Sequence, residues 1–295
     1  MPSLLTRVKS KLFIASSRKS MHALDGAYAS LLRGRSLDFE DLRAYEYGDQ
    51  VRDIDWRATA RLGSPMIKRS KATRMHTVLF AVDTSRSMAA LAPDERPKKD
   101  LAVLTVGALG VLSLRHGDDF TVVSGDAVAV KRTAVTRSEA ALEHALRRID
   151  AAGSDGARSD RAGILRYIAR TIARRMIVVI ITDDAPVTEE DERLLRRLRV
   201  QHDVLWLTIA DANPVLDHTT KTARVDALTA WAIPGFAHGD DAIVRELAER
   251  DEAEASRRDS LLDSLEITHA TLTSQDTAIG DLLRLLNRRR YVGSR

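Results

Sequence analysis

The sequence predicts an α/β protein built on a doubly wound, mostly parallel β-sheet that is preceded by an N-terminal extension. Two observations carry this prediction. From residue 76 onward, short β-branched runs alternate with longer helical stretches, and two of the runs are apolar throughout, as in strands buried on both faces. Such alternation implies right-handed crossovers and helices on both faces of the sheet. We therefore divide the chain into an extension, residues 1–75, and an α/β domain, residues 76–295.

Six short runs have the composition of β-strands, and the stretches between them have helical periodicity. The predicted strands are Thr77–Val82, Phe120–Val123, Ala127–Val130, Met176–Thr182, Val204–Ile209 and Ile267–Leu272. The predicted helices are Lys99–Leu114, Glu139–Ile149, Arg161–Ala173, Glu189–Arg199, Asp241–Leu265 and Thr277–Arg289. Only Ser124-Gly125-Asp126 separates the second strand from the third, which predicts a hairpin with an antiparallel strand at one edge of the sheet.

The composition of the chain gives an indication of its cellular location. The chain contains no cysteine, which excludes disulfides and thiolate metal sites and favours a cytoplasmic location. The longest charge-free apolar run, Leu101–Leu114, is too short to cross a bilayer. Near the N-terminus, Leu5, Val8 and Leu12 share one face of a predicted basic amphipathic helix. We favour packing of this face on the protein itself; peripheral contact with an anionic membrane surface is the alternative.

Oxygen-bearing side chains follow the predicted strands at one edge of the sheet. Asp83, Ser85 and Ser87 form a D-x-S-x-S sequence after the first strand, Ser159 precedes a helix, and Asp183 follows another central strand. In a doubly wound sheet the loops after the strand C-termini line the ligand crevice. Carboxylate and hydroxyl oxygens suit a small octahedral cation, Mg²⁺ or Mn²⁺. Helix capping would explain any one of these residues, but three converging loops indicate a metal site.

This pattern resembles the metal-ion-dependent adhesion site of von Willebrand factor A and integrin-inserted domains. Ser159 stands where Thr is usual, and Asp184 stands where Gly is common. The resemblance implies a sheet of von Willebrand factor A type, hydroxyls that bind the metal directly, and carboxylates that act partly through water. It also implies an open coordination position for an acidic group of a partner. The added carboxylate of Asp184 would either tighten the cation or repel an acidic ligand.

A second motif lies in the extension. It reads R-x-Y-x-x-G-D, then R-x-I-D-W, then A-R, and its residues are Arg43, Tyr45, Gly48, Asp49, Arg52, Asp55, Trp56 and Arg61. In this order the motifs resemble the segment that defines the bacterial family called domain of unknown function 58, where it directly precedes a von Willebrand factor A-like domain. We expect the Trp56 ring to be buried, with Arg52, Asp55 and Arg61 ion-paired around it to fix the extension to the domain. A partner-docking surface is the alternative.

The family resemblance implies a protein-binding function, that of an adaptor or co-chaperone. Its expected partner is a MoxR-type AAA+ ATPase, whose genes commonly lie beside those of the family, or the substrate of that ATPase. We expect no enzymatic activity, because the chain has no Walker A sequence, no G-x-G-x-x-G after a strand and no metalloprotease histidine spacing.

Two other functions stay open as alternatives. A metal-dependent phosphohydrolase would use Asp83 as nucleophile, but Ser85 occupies the position of the general acid that such enzymes need. Nucleic-acid binding would use the basic N-terminal region, where residues 1–76 carry 15 Lys and Arg against 8 Asp and Glu. We do not expect nucleic-acid binding, because acids are interleaved with these arginines and no aromatic stacking pattern accompanies them.

Overall fold

The structure is a computed structural model that describes residues 3–14, 23–29, 41–47, 49, 51, 54–69, 76–153, 156–213, 226, 231–232 and 240–292. In chain order the elements are α1 (Leu4–Ile14), α2 (23–29), β1 (Asp41–Ala44), α3 (Trp56–Leu62), β2 (Met66–Arg69), β3 (Thr77–Asp83), a 3₁₀ turn (Arg86–Ala89), α4 (Lys98–Arg115), β4 (Asp119–Gly125), β5 (Val130–Arg132), α5 (Glu139–Asp150), α6 (Arg161–Thr171), β6 (Ile177–Asp183), α7 (Glu189–Gln201), β7 (Asp203–Ile209), α8 (Asp241–Ser264), β8 (Thr268–Leu272) and α9 (Ala278–Val292). Among the helices of these ranges, none combines the length and apolar content that crossing a bilayer takes.

A six-stranded sheet in the order β5-β4-β3-β6-β7-β8 forms the centre of the domain. Neighbouring strands are parallel except for β5, which pairs antiparallel with β4. Every residue of β3 and β6 is buried, since these central strands are covered on both faces and consist of aliphatic residues that fit such positions. The chain winds outward in opposite directions from these two strands, so a crevice lies between their C-terminal ends. The predicted doubly wound, mostly parallel sheet is confirmed.

Two layers of helices complete the core. Side chains of α1, α2, α4, α5 and α9 pack on one face of the sheet. Those of α6, α7 and the C-terminal part of α8 pack on the other. Helix α4 is buried along most of its length, and two glycines let its neighbours approach. A Cβ on Gly107 would lie 2.8 Å from Val8 Cγ2, and one on Gly110 would lie 2.7 Å from Leu142 Cδ1.

The N-terminal helices belong to this core. The apolar face of α1, formed by Leu5, Val8 and Leu12, is buried against the domain, as the favoured interpretation predicted. These three side chains are therefore not free to contact a membrane surface. In α2, the Tyr28 ring is also buried, and its hydroxyl lies 2.8 Å from Ser113 Oγ.

The predicted hairpin edge is confirmed, but its second strand is displaced along the chain. The strand begins at Val130 instead of Ala127, because residues 126–129 form the turn. The Asp126 carboxylate accepts hydrogen bonds from Val128 N at 2.8 Å and Ala129 N at 3.0 Å, which closes this turn. Asp side chains bond their own following backbone in this way and compete with strand pairing.

The N-terminal motif surrounds a small antiparallel pair, β1 and β2. Arg43 lies in β1 opposite Ile67, and Tyr45 N donates to Pro65 O at 2.8 Å. The Asp49 carboxylate accepts a hydrogen bond from Glu46 N at 2.9 Å. Gly48 and Arg52 lie outside the described residues. The tyrosine and Asp49 thus hold the local backbone together.

The prediction that Trp56 is buried is wrong, because its side chain is 66% exposed. Trp56 is the first residue of α3, and the Asp55 carboxylate caps that helix by accepting hydrogen bonds from Arg57 N and Ala58 N. The short helix buries Ala58 instead and leaves the indole toward solvent. Arg61, in its last turn, is exposed as well. A capped helix start accounts for the D-W pair without a buried ring.

One buried titratable side chain lies away from any predicted site. His202 follows α7, and among the described residues neither of its ring nitrogens has a hydrogen-bond partner. Burial and the positive charge of Arg175 lower the pKa of His202 below its ordinary value. The folded protein therefore holds this ring in its neutral form at neutral pH.

We expect the free energy of unfolding to decrease as the pH falls below about 6.5, the ordinary pKa of histidine. The unfolded chain takes up the proton at that pH while folded His202 does not, so the decrease is at most about 1.4 kcal/mol per pH unit. Urea denaturation at several pH values measures it. His202→Leu should remove this contribution, and His144→Leu, at an exposed position, is the control. Equal pH profiles for the two variants would contradict the assignment.

Candidate metal site

The structure brings the five predicted metal-site residues to the C-terminal edge of the sheet. Asp83 and Asp183 end the neighbouring strands β3 and β6. Ser85 directly precedes the 3₁₀ turn after β3, and Ser87 lies within that turn. Ser159 lies in the loop before α6. The crevice between the two central strands is therefore lined by two carboxylates and three hydroxyls.

Hydrogen bonds already join four of these side chains. The Asp83 carboxylate accepts from Ser85 N at 2.7 Å through Oδ1 and from Ser159 Oγ at 2.5 Å through Oδ2. Ser85 Oγ lies 3.0 Å from Ser87 Oγ. The bond from Ser85 N to the side chain two residues before it closes a tight turn directly after β3.

Backbone contacts fix the loops around the site. Arg86 N donates to Ala157 O at 2.9 Å, and Arg86 Nε donates to Gly156 O at 3.1 Å. The two loops pass so closely that a Cβ on Gly156 would lie 3.2 Å from Arg86 N. On the other side, Thr84 N donates to Gly125 O at 3.0 Å. The D-x-S-x-S segment is thus held between two neighbouring loops.

The two carboxylates are buried close to each other. Asp83 is 2% exposed and Asp183 is 5% exposed. Burial raises the pKa of Asp83, and the negative charge of Asp183 raises it further, against the hydrogen bonds from Ser159 and Ser85. Two buried like charges are costly unless a cation lies between them.

These residues fit a small divalent cation of the hard type. Their donor atoms are all oxygens, which favours Mg²⁺ or Mn²⁺ over metals that prefer nitrogen or sulfur. Within the described ranges, no group of three or more His, Cys, Asp or Glu side chains is placed to hold a metal ion. A cation here would therefore draw its remaining protein ligands from Ser85, Ser87 and Ser159.

Asp184 is directed to a separate cluster. Its Oδ2 accepts a hydrogen bond from Asp211 N at 3.0 Å. The Asp211 carboxylate in turn contacts the ammonium group of Lys98, which is 1% exposed. Partial burial and the hydrogen bond with Asp184 raise the pKa of Asp211 to about 7, while the pKa of Asp184 is lowered by its bonds to Asp211. The added carboxylate thus pairs with the loop after β7.

A buried arginine that the sequence pattern did not indicate lies beside the site. Arg161 is the first residue of α6, and its guanidinium donates to Asp191 Oδ2 at 2.8 Å. The same group lies 4.0 Å from Asp183 Oδ1 and 5.5 Å from the centre of the Trp206 ring. The T-x-x-D sequence at Thr188–Asp191 indicates a capping box, which the structure contains. No local pattern indicates that Arg161 is buried.

Comparisons with known proteins identify relatives of two kinds. A family model described as "Protein of unknown function DUF58" matches residues 41–223. An uncharacterized protein of Mycobacterium bovis and one of Mycobacterium tuberculosis H37Rv are each 29% identical over 196 residues, which cover 65% of this chain. The matched part spans 61% of the length of these relatives.

Solved structures similar to this chain include a conserved hypothetical protein BatB from Bacteroides thetaiotaomicron and a von Willebrand factor type A protein from Catenulispora acidiphila. The BatB structure is 12% identical, and the match covers 72% of this chain and 98% of that one with a TM-score of 0.42. The Catenulispora structure is 12% identical, and the match covers 73% of this chain and 43% of that one with a TM-score of 0.42.

Proposed function

The chain belongs to the DUF58 family, and on this premise we propose that it is a metal-dependent protein-binding module. The observation that carries the proposal is the pair of buried carboxylates, Asp83 and Asp183, at the switch point of the sheet with three serine hydroxyls around them. Two such anions are costly without a compensating cation, and the neighbouring Arg161 is paired mainly with Asp191. The crevice at this sheet edge is where ligands of doubly wound folds bind.

Asp83, Ser85, Ser87, Ser159 and Asp183 would hold Mg²⁺ or Mn²⁺. When bound, the ion would neutralise the carboxylates and offer a coordination position to an acidic side chain of another protein. The loops joined through Arg86 keep the hydroxyls in place, so little ordering would be needed on binding. We propose recognition and not catalysis, because Ser85 stands where a phosphohydrolase of this type needs a carboxylic acid.

We further propose that the partner is a MoxR-type AAA+ ATPase or the substrate that it remodels, in the cytoplasm. The support is the family resemblance of the N-terminal motif together with a site suited to an acidic group. In this function the protein would act as an adaptor or co-chaperone. Its own contribution would be to bind one of these proteins, while the ATPase would provide the energy from ATP hydrolysis.

The test is surface plasmon resonance with the full chain immobilised and a MoxR-type ATPase from the same organism as analyte. We expect binding in Mg²⁺ to weaken at least about tenfold in EDTA and in Ser85→Ala, because affinity for the bridging ion is lost. Ser138→Ala is the matched control, since Ser138 is exposed and its side chain makes no capping bond. Equal affinities in magnesium and in EDTA would contradict a metal-mediated contact even if the two proteins associate.

A further inference from the structure

A buried ion pair lies beside the candidate metal site. The Arg161 guanidinium is 8% exposed, and its two terminal nitrogens are engaged by the segment that follows β6. Nη1 donates to Ala185 O at 3.1 Å, and Nη2 donates to Pro186 O at 2.7 Å and to Asp191 Oδ2 at 2.8 Å. The Arg161 side chain therefore links the start of α6, next to Ser159, with the loop that follows Asp183.

Two carboxylates, those of Asp191 and Asp183, lie near the Arg161 guanidinium. Nη2 lies 2.8 Å from Asp191 Oδ2, whereas Nη1 lies 4.0 Å from Asp183 Oδ1, beyond hydrogen-bond distance. Burial alone would raise the pKa of Asp191, but the hydrogen bond and charge of Arg161 hold it below its ordinary value. The arginine's charge is thus compensated mainly by Asp191, while Asp183 lies at the longer distance of 4.0 Å.

We propose that Asp191 is a positioning residue that reserves Asp183 for a divalent cation by holding the Arg161 guanidinium away from it. This inference rests on the proposed function of the site. An arginine that bonded Asp183 directly would occupy the lone pairs and neutralise the charge on which the cation depends. Residues behind a metal site commonly set its affinity in this way.

The surroundings of the pair support this role. Arg161 Nε has no hydrogen-bond partner among the described residues, so the guanidinium keeps a donor for another carboxylate. Asp191 is fixed by Thr188, whose N and Oγ1 donate to Asp191 Oδ2 at 3.0 and 2.9 Å. The capping box of α7 therefore holds one partner in place, and the 4.0 Å gap to Asp183 follows from that anchor.

The test compares the wild type, Asp191→Asn and a double variant of the full chain, with MgCl₂ binding measured by isothermal titration calorimetry. Asp191→Asn keeps an oxygen for Thr188 but removes the charge, and we expect it to weaken binding by about 10- to 100-fold. Adding Arg161→Met to Asp191→Asn removes the competing cation, and we expect affinity to return to within about threefold of the wild type. Glu190→Gln is the matched control, since it removes a neighbouring carboxylate of α7 that pairs with Arg166.

Thermal melts of each variant in EDTA show whether it is folded at the assay temperature. If the double variant with Arg161→Met is unfolded, Arg161→Gln is used in its place. The glutamine amide retains a hydrogen-bond donor for the carbonyls of the 185–186 loop. A wild type that binds no Mg²⁺ would overturn the proposed function and this inference together. If the wild type binds, unchanged affinity in Asp191→Asn, or failure of the double variant to recover it, would overturn this inference alone.

Discussion

Trp206→Ala is expected to lower the free energy of unfolding by about 3–5 kcal/mol, the usual cost of removing a large aromatic side chain from a core. Trp206 lies in β7 and has no exposed surface. Its Nε1 donates to Thr208 Oγ1 at 2.9 Å, and the Arg161 guanidinium lies over its ring. Truncation would therefore leave a cavity, remove a hydrogen-bond donor and expose one face of a buried cation.

Urea denaturation of matched variants measures this effect. Trp56→Ala is the control, because the same side chain is removed from a position that is 66% exposed, and we expect a change within about 0.5 kcal/mol. Trp206→Phe should lie between the two, since it retains most of the ring volume but loses the bond to Thr208. Equal losses at Trp56 and Trp206 would contradict the burial described for both.

The two tryptophans show what the sequence can and cannot predict. Trp206 belongs to the apolar run Val204–Ile209, and that run predicts a buried strand whatever its individual residues are. Trp56 lies among charged residues, and the prediction of its burial rests on the Arg and Asp residues around it. Its surroundings fit a capped, exposed helix start equally well, because Asp before a helix supplies a cap. A continuous apolar run is therefore a stronger signal of burial than a single aromatic residue among charges.

In the candidate site, too, some features could be predicted from the sequence and others could not. Asp83 and Asp183 could be placed at one edge because parallel strands end at the same side of a sheet. The pairing of Arg161 with Asp191 could not be predicted from the sequence. The two residues are 30 positions apart, and their contact depends on how α6 and α7 pack. The same holds for Lys98 and Asp211, which come from different connections. In the sequence, each of these charges resembles an ordinary surface residue.

Asp83→Asn is expected to abolish the stabilisation of the protein by Mg²⁺. Under the proposed function, the wild type should gain about 2.7 kcal/mol of unfolding free energy at a magnesium concentration of 100 times Kd. The variant should gain nothing measurable, because Asp83 supplies one of only two carboxylates in the set. Thermal melts in EDTA and in MgCl₂, with calorimetric titration beside them, measure both quantities.

The metal-free stability of this variant provides a second, independent expectation. Burial and Asp183 both disfavour the ionised form of Asp83, so a neutral amide that still accepts the bond from Ser85 N should leave the metal-free protein at least as stable as the wild type. Asp251→Asn, at an exposed position on α8, is the control and should retain the magnesium effect. A residue that only shaped the fold would lower stability in EDTA when replaced. Replacing a metal ligand would instead leave stability in EDTA unchanged or higher and would remove the stabilisation by Mg²⁺. Equal stabilisation by Mg²⁺ in Asp83→Asn and wild type would contradict the role of Asp83 as a metal ligand.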